Sequence, residues 1–354
     1  MRNKRDYPPG LVIWEITLKC NLRCVHCGSS AGKKRPNELT TKESLQLCND
    51  LAELGFKGIT LFGGEPFLRK DWYTIGKEIK DLGMKLSFVS NGFVNPKNII
   101  PKLTRLQIDS IQIGLDGGSS KTHDYIRGVR GSFEKVIEFL RLTKKAGLSI
   151  GAVTTVSKMN FKELPLIWTL ITKEKIDWQI QEAIPIGRFP KEMILSEEEY
   201  YFMGMFIASR RKKISSKEIL VAGPHNLGFY SQFIPALNSY VNWRGCWAGK
   251  MVLGIQSDGN VKGCLALSDD FIEGNIREKS IIDIWNDPHA FAYNRKFNVV
   301  DLGENCKDCK YGETCKGGCL TRSDALTGFL HNDPYCFYRI EQEMFMQNTK
   351  SKIL

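Results

Sequence analysis

Strand-like and helix-like segments alternate along the first half of the chain. Six short apolar segments, the first at residues 11–16, are predicted to be strands, and helix-like stretches such as 132–146 and 161–172 follow them. This alternation is typical of parallel βαβ units, whose crossovers wind with one hand. The pattern therefore predicts an α/β fold in which residues 1–190 form a partial (β/α)6 TIM-like barrel.

Thiol and polar side chains follow four of the predicted strands, at the point where each strand ends. In α/β folds, ligands bind beyond the carboxyl ends of the strands, so these side chains are expected to share one site. The residues concerned are Cys20, Cys24 and Cys27 after strand 1, Gly63, Gly64 and Glu65 after strand 2, Ser90 and Asn91 after strand 3, and Asp116 after strand 4. Each turn alone also has an ordinary interpretation, such as a tight Gly turn or a helix-capping Asp.

The first three cysteines, Cys20, Cys24 and Cys27, form a C-x3-C-x2-C run. A closed zinc site needs a fourth ligand, and no further Cys or suitably placed His lies nearby, because His26 stands between two of the thiols. An iron–sulfur cluster held by three cysteines leaves one iron free for another ligand. On this run alone, a zinc knuckle or a chance group of thiols remains the alternative.

Seven more cysteines lie in the last third of the chain, at Cys246, Cys264, Cys306, Cys309, Cys315, Cys319 and Cys336. A small β-hairpin is predicted between the first two, around Asp258 and Gly259. Two four-Cys zinc sites are the alternative to clusters, although seven thiols do not divide by four. Cys48 lies on the apolar face of a predicted helix and is expected to be an inert core thiol.

The C-x3-C-x2-C run with the turns that follow it resembles the core of the radical S-adenosylmethionine (SAM) enzymes. In that superfamily, three cysteines hold a 4Fe–4S cluster whose free iron binds SAM, and the reduced cluster cleaves SAM to a 5′-deoxyadenosyl radical. The implied SAM contacts are Gly63, Gly64 and Glu65 for the amino group, Ser90, Asn91 and Asp116 for the ribose, His26 for the adenine, and Arg127 for the carboxylate. Gly114 stands where many relatives have Ser, so one hydroxyl contact is expected to be missing. No catalytic residue is singled out.

The later cysteines resemble the SPASM extension of radical SAM peptide maturases. The resemblance implies one auxiliary 4Fe–4S cluster fully ligated by Cys306, Cys309, Cys315 and Cys336. It implies a second auxiliary 4Fe–4S cluster, with an open or non-Cys fourth position, held by Cys246, Cys264 and Cys319. The expected organisation is a radical SAM core at 1–190, a bridging helix and loop region at 191–245, a SPASM domain at 246–340 and a tail at 341–354.

Composition restricts the location and the partners of the chain. It carries 50 Lys and Arg against 39 Asp and Glu, a formal net charge of +11, but the lysines are spread along the sequence. Such spreading is typical of a solvated surface, so no nucleic-acid partner is expected. The chain shows no long apolar run and no signal pattern, so we expect no membrane association and a cytoplasmic location. Eleven cysteines in a cytoplasmic chain are more typical of metal ligands than of disulfides.

The resemblance implies an enzyme that modifies a ribosomally made peptide or small protein, with a ferredoxin or flavodoxin-type reductant. An enzyme of small-molecule or tetrapyrrole (haem-type) biosynthesis is the alternative. An electron carrier with three clusters is a third possibility, against which Glu65 and the other SAM contacts argue. Only ten residues precede the first predicted strand, so recognition of a leader peptide is expected from a separate protein or from the barrel face.

Overall fold

The computed structural model describes residues 8–224, 227, 230–234, 237 and 243–350. Within these residues, ten strands form one sheet: β1 Leu11–Thr17, β2 Gly58–Gly63, β3 Lys85–Ser90, β4 Ser110–Gly114, β5 Ile150–Val156, β6 Asp177–Glu182, β7 Val221–Ala222, β8 Val252–Ile255, β9 Asn260–Lys262 and β10 Gly274–Asn275. The same part of the chain forms twelve α-helices: α1 Thr41–Leu54, α2 Trp72–Asp81, α3 Pro96–Leu106, α4 Ser120–Arg127, α5 Ser132–Lys145, α6 Leu164–Glu174, α7 Glu197–Lys213, α8 Ile281–Asn286, α9 Ala292–Arg295, α10 Gly312–Cys315, α11 Leu320–Thr327 and α12 Phe337–Lys350.

Strands β1 to β7 lie side by side in sequence order, and every neighbouring pair among them is parallel. Helices α1 to α7 fall in the connections between them. Parallel strands joined by helical crossovers are what the alternation predicts, so the α/β class and the partial barrel are confirmed.

The cysteine-rich segment continues the sheet of the barrel. Strand β8 pairs in parallel with β1, from Leu11 opposite Val252 to Trp14 opposite Ile255. β8 and β9 then form the antiparallel hairpin predicted around Asp258 and Gly259. Neither β7 nor the pairing of β8 with β1 was predicted, since β7 has two residues and the register of β8 depends on a distant strand. As a result, β1 lies between two strands, and the turn that follows it starts from a fixed position.

Alternate residues of each barrel strand face the helices. Trp14, Leu61, Phe88, Ile113 and Trp178 are fully buried on this side. Successive side chains of a strand point to opposite faces, so their neighbours lie on the concave side. We call this concave side of β2 to β6 the inner face. Its half-buried residues are Thr60, Phe62, Ser87, Val89, Ser110, Gln112, Val153, Thr155, Asp177, Gln179 and Gln181.

Two long helices begin with side-chain caps. Thr40 caps α1 and Ser196 caps α7, each through a capping box with the Glu three residues later. Such a cap satisfies backbone donors that the first turn would leave unpaired, and it typically stabilises a helix by about 1 kcal/mol. The helices that support the carboxyl ends of the strands are therefore specified locally.

The end of the chain is more closely tied to the fold than the expected tail boundary suggests. Residue 341, where the tail was expected to begin, lies inside α12. The Glu341 carboxylate is buried and accepts hydrogen bonds from the Tyr201 hydroxyl at 3.1 Å, the Ser231 hydroxyl at 2.6 Å and the Gln232 amide at 2.7 Å. No helix in the described ranges is long and apolar enough to cross a membrane.

Candidate functional site

The carboxyl ends of β2 and β3 bring three predicted site residues together. The Glu65 carboxylate accepts hydrogen bonds from the Ser90 hydroxyl at 3.0 Å and from the Asn91 backbone amide at 2.8 Å. The Asn91 side chain in turn donates to Cys20 Sγ at 3.6 Å and to Asn21 Oδ1 at 2.8 Å. The carboxylate and the first thiol of the C-x3-C-x2-C run are therefore joined through one residue, Asn91, whose backbone N–H reaches Glu65 and whose side chain reaches Cys20.

Glu65 is a buried acid whose hydrogen-bond donors are all neutral. Its side chain is 0% exposed, and this burial raises the pKa of Glu65 to about 7 against the opposing hydrogen bonds from Asn91, Ser90 and Phe67. Among the described residues, no cationic side chain donates a hydrogen bond to it. A buried carboxylate is stabilised by a cation that reaches it, so this position suits the ammonium group of a ligand.

Gly63 and Gly64 pack the end of β2 against the chain that leaves β1. A Cβ on Gly63, where φ is 143°, would lie 2.2 Å from Thr17 O, and one on Gly64 would lie 2.3 Å from Lys19 O. The Glu65 backbone amide donates to Lys19 O at 2.9 Å. The close backbone approach that the Gly-Gly pair permits is thus made to the segment leading into the cysteine run.

Asp116, after β4, lies at the centre of a second buried group. Its Oδ2 atom is 2.9 Å from His26 Nε2 and 2.5 Å from Arg127 Nη2, and its Oδ1 accepts from the Thr155 amide at 2.9 Å. Although burial would raise the pKa of Asp116, Arg127 and then His26 hold it well below its usual range. The geometry thus joins three of the predicted SAM contacts, Asp116, His26 and Arg127, in one charged cluster.

The structure explains the glycine at position 114. A Cβ added to Gly114 would lie 1.8 Å from Arg127 Nη2, so the guanidinium occupies the space that a serine side chain would need. The same guanidinium hydrogen-bonds to the Cys24 thiol. Arg127 therefore links Asp116 to the cysteine run. Helix α4, which carries Arg127, was not predicted, because its eight residues show little apolar periodicity.

Each thiol of the run has a hydrogen-bond donor. The Leu22 amide lies 3.4 Å from Cys20 Sγ, the Ala31 amide lies 3.3 Å from Cys27 Sγ, and Cys24 has its guanidinium contact. Hydrogen bonds to the sulfurs are a normal part of the surroundings of an iron–sulfur cluster, so this donor set fits one. Within the described ranges, no three His, Cys, Asp or Glu side chains are arranged to hold a single metal ion.

The four cysteines expected to hold one auxiliary cluster line a single cavity in the C-terminal segment: Cys306, Cys309, Cys315 and Cys336. Aromatic side chains form much of the remaining wall, among them Tyr311, Tyr335 and Phe337. Burial raises the pKa of Cys306 to about 12 and that of Cys336 to about 11, so these thiols ionise at neutral pH only when a metal binds them.

The other three C-terminal cysteines form a separate group. The buried Cys246 thiol lies close to those of Cys264 and Cys319, and burial raises the pKa of both Cys246 and Cys319. The Asn294 side chain donates to Cys246 O at 3.0 Å and so holds this loop against α9. The seven thiols therefore lie in two groups, four along the cavity and three around Cys246.

A buried ion network joins the barrel to the C-terminal segment, and sequence reasoning missed it. The guanidinium of Arg322, which is 0% exposed, lies 2.5 Å from Glu182 at the end of β6 and 2.5 Å from Asp333. It also packs against the ring of Tyr200, and Asp333 accepts from the Cys319 amide at 3.0 Å. No periodicity or motif marks Arg322, because its partners lie on distant segments.

Two known family models match the regions that carry the thiols. The model of the radical SAM superfamily matches residues 14–165, and the model of an iron–sulfur cluster-binding domain, SPASM, matches residues 246–310. The chain therefore carries a radical SAM domain and a SPASM domain.

Several known proteins are similar to this chain over most of its length. An AdoMet-dependent heme synthase of Methanosarcina barkeri (strain Fusaro / DSM 804) is 29% identical over 94% of this chain and 97% of the relative. The mycofactocin maturase MftC of Mycolicibacterium smegmatis is 25% identical over 88% of this chain and 78% of the relative. The crystal structure of Streptococcus suis SuiB bound to S-adenosylmethionine has a TM-score of 0.73 at 18% identity and covers 94% of this chain and 76% of that one.

The predicted class and cofactors are thereby confirmed. The protein is a radical SAM enzyme whose radical SAM domain binds a 4Fe–4S cluster and SAM, and whose SPASM domain binds auxiliary iron–sulfur clusters. The relatives differ in the substrate classes that their names imply, heme synthase on the one hand and maturase on the other. Substrate class is therefore a separate question.

Proposed function

We propose that this enzyme modifies a side chain or the backbone of a ribosomally made peptide or small protein. The observation that carries the proposal is the inner face of the barrel. Its residues on β4 to β6 offer side-chain amides and a hydroxyl near the carboxyl ends of the strands, where the SAM contacts are expected to lie. Such groups complement the N–H and C=O groups of a peptide backbone.

Three glutamines and one threonine make up this polar strip. Gln181 Nε2 donates to Thr155 Oγ1 at 3.3 Å, and Gln179 Nε2 donates to Gln181 Oε1 at 3.4 Å, so both glutamines retain further hydrogen-bonding atoms. In the described part of the chain, the buried Gln112 Oε1 has no hydrogen-bond partner. A buried acceptor left unpaired costs free energy, which a substrate N–H would recover.

A haem-type tetrapyrrole is the second candidate substrate. Two relatives of Methanosarcina barkeri favour it, the heme synthase described above and a Fe-coproporphyrin III synthase that is 29% identical over 96% of this chain and 90% of the relative. A coproporphyrin is a polycarboxylate and needs cationic partners when bound. The inner face instead carries amides and hydroxyls, and Arg35, near β1, is already paired with Glu15 at 2.8 Å.

The residues of the radical SAM domain divide into cluster ligands and SAM contacts. We assign Cys20, Cys24 and Cys27 to the cluster, which with bound SAM supplies the 5′-deoxyadenosyl radical when reduced. Glu65 binds the ammonium of SAM. Ser90 and Asn91 position the Glu65 carboxylate through their hydrogen bonds, in addition to their expected ribose contacts. The remaining residues keep the roles expected from the resemblance: Asp116 contacts the ribose, His26 the adenine and Arg127 the carboxylate of SAM, and Gly63 and Gly64 contact its amino group.

The C-terminal thiols supply the ligands of the auxiliary clusters. We assign one 4Fe–4S cluster to the four cysteines that line the shared cavity and a second to Cys246, Cys264 and Cys319. A ferredoxin or flavodoxin-type protein is the expected reductant. A separate protein is expected to recognise the leader of the substrate peptide if the barrel face does not.

Substrate competition tests the proposal. The anaerobically reconstituted enzyme is incubated with SAM and a chemical reductant, together with either a candidate short peptide chosen from the reading frames beside its gene or iron coproporphyrin III. We expect the peptide to increase 5′-deoxyadenosine formation and to change in mass. Gln181→Leu should weaken this stimulation, whereas Gln46→Leu, on the exposed face of α1, should not. A product formed only from the porphyrin would contradict the proposal.

A further inference from the structure

Helix α9 holds together the three loops that carry Cys246, Cys264 and Cys319. Its Asn294 side chain donates to Cys246 O at 3.0 Å and to Ala248 O at 2.6 Å. The carbonyl of its Tyr293 lies 2.8 Å from His331 Nε2, and the other ring nitrogen of that histidine lies 2.6 Å from Lys316 O. The side chain of Tyr293 extends toward Gly263, in the loop that carries Cys264.

The Tyr293 hydroxyl is buried beside the thiols. It lies 2.3 Å from the position that a Cβ on Gly263 would occupy, so the glycine next to Cys264 makes room for it. The Tyr293 ring packs edge-on against Phe271 with 5.2 Å between the ring centres. In the described residues, no acceptor takes the hydrogen of this hydroxyl, and its neighbour on the oxygen side is the Gly263 amide. The side chain packs, with that of Cys264, against the buried group around Cys246.

A buried phenol without an acceptor indicates that its acceptor belongs to a bound group. The nearby atoms that a bound group would add are the sulfurs of the expected cluster. A tyrosine phenol has an ordinary pKa of about 10, so at neutral pH it keeps its hydrogen. A neutral phenol beside anionic sulfur is a hydrogen-bond donor.

We propose that Tyr293 donates its phenolic hydrogen to a sulfur atom of the auxiliary cluster held by Cys246, Cys264 and Cys319 and thereby raises the reduction potential of that cluster. The inference rests on the proposed assignment of these three cysteines to one cluster. A reduced cluster carries one more negative charge than the oxidised form, so the hydrogen bond stabilises the reduced form more. Tyr293 is therefore a tuning residue that does not itself react.

Redox titration monitored by electron paramagnetic resonance tests the inference on the full-length reconstituted enzyme. Tyr293→Phe removes only the hydroxyl and should keep the iron content of the parent. We expect one auxiliary signal to appear at a lower midpoint potential while the other clusters keep theirs. Phe271→Leu, which disturbs the packing of the same ring but leaves its hydroxyl in place, is the matched control and should keep the parent potentials.

The other outcomes are distinct. Parent potentials in Tyr293→Phe would overturn the hydrogen bond, and loss of iron in that variant would overturn it by showing Tyr293 to be a ligand. Replacement of Cys246, Cys264 and Cys319 by alanine should remove the signal that moves in Tyr293→Phe. If that signal survives the triple replacement, the assignment of these cysteines is wrong, a failure separate from that of the hydrogen bond.

Discussion

The barrel and the C-terminal segment position their thiols in different ways. Cys20, Cys24 and Cys27 follow a strand that is paired on both sides, and Asn91 at the end of β3 donates hydrogen bonds to Cys20 and to the neighbouring Asn21. The C-terminal thiols lie on loops and on short helices such as α10, which has four residues. A sheet orders the radical site before any metal binds, whereas the auxiliary sites have little regular structure around them.

The apolar packing shows the same contrast. One continuous core extends through the barrel and its helices and into β8, β9, α8 and α12, whereas the cluster around Cys246 is separate and has four buried members, with Ala248, Leu267 and Leu320. Where little apolar surface is buried, metal binding contributes much of the folding free energy. We therefore expect the loops around Cys246, more than the barrel, to depend on a bound cluster and on Arg322 for stability.

The largest expected effect separates the radical site from the auxiliary sites. Replacing Cys20, Cys24 and Cys27 together by alanine should remove about four iron atoms per chain and abolish SAM cleavage, since no other thiol group leaves an iron near the expected SAM contacts. Iron analysis and 5′-deoxyadenosine assays check this outcome. The signals of the auxiliary clusters should persist in the variant, and retention of SAM cleavage would show that the cysteine run is not the radical site.

The second prediction concerns the connection between the two regions. Arg322→Met should destabilise the protein by about 3–5 kcal/mol, because it leaves the buried Glu182 and Asp333 carboxylates without their cation. Chemical denaturation of the reconstituted enzyme measures the loss. The exposed pair of Arg141 and Glu174 provides the control, since Arg141→Met should cost less than about 1 kcal/mol. Equal losses in the two variants would refute a special role for Arg322.

The third prediction concerns SAM recognition. Glu65→Gln should weaken SAM binding by roughly 10- to 100-fold, because a charge-assisted hydrogen bond contributes about 1.5–3 kcal/mol, while iron content should stay unchanged. Calorimetric titration with SAM measures the change. Glu53→Gln, on the exposed face of α1, is the matched control, and this variant should bind SAM like the parent. Unchanged affinity in Glu65→Gln would mean that Gly63, Gly64 and Glu65 form an ordinary turn and do not bind SAM.

The pH dependence of SAM binding provides a second test of Glu65. Its pKa in the SAM-free protein is raised from 4.5 to about 7 by burial, so its contribution to stability is fully present below 4.5 and is lost as pH rises through about 7. Binding an ammonium requires the ionised carboxylate, so SAM affinity should increase as pH rises toward 7 and then level off. Glu65→Gln should remove this increase. An unchanged pH profile in the variant would mean that another group causes the increase in SAM affinity.

The smallest expected effect concerns the thiol that neither region uses as a ligand. Cys48 is fully buried in the core of the barrel on α1. Cys48→Ala should keep the parent iron content and the parent rate of SAM cleavage and should lower the free energy of unfolding by about 1 kcal/mol, because a small cavity forms. Iron analysis and denaturation check both parts. A loss of iron would mean that Cys48 takes part in cluster binding.

The barrel was predictable from the sequence because its signals are local. The strand and helix alternation, the caps at Thr40 and Ser196, and the hairpin at Asp258 each depend on neighbouring residues. The parallel pairing of β8 with β1 and the ion network of Arg322 depend on segments far apart in the chain, and no short pattern marks them. The hydrogen bonds of Ser90 and Asn91 to Glu65 were likewise invisible, since a sequence shows which residues reach a rim but not which of them pair there.

Hydrogen transfer from the substrate tests the proposed chemistry most directly. The reconstituted enzyme is incubated with SAM, a reductant and a uniformly deuterated candidate peptide chosen from the reading frames beside its gene, and the mass of the 5′-deoxyadenosine is measured. A peptide-modifying radical SAM enzyme should transfer deuterium from the peptide to 5′-deoxyadenosine as the peptide changes in mass. Unlabelled 5′-deoxyadenosine beside an unchanged peptide, together with turnover of iron coproporphyrin III, would contradict a peptide substrate.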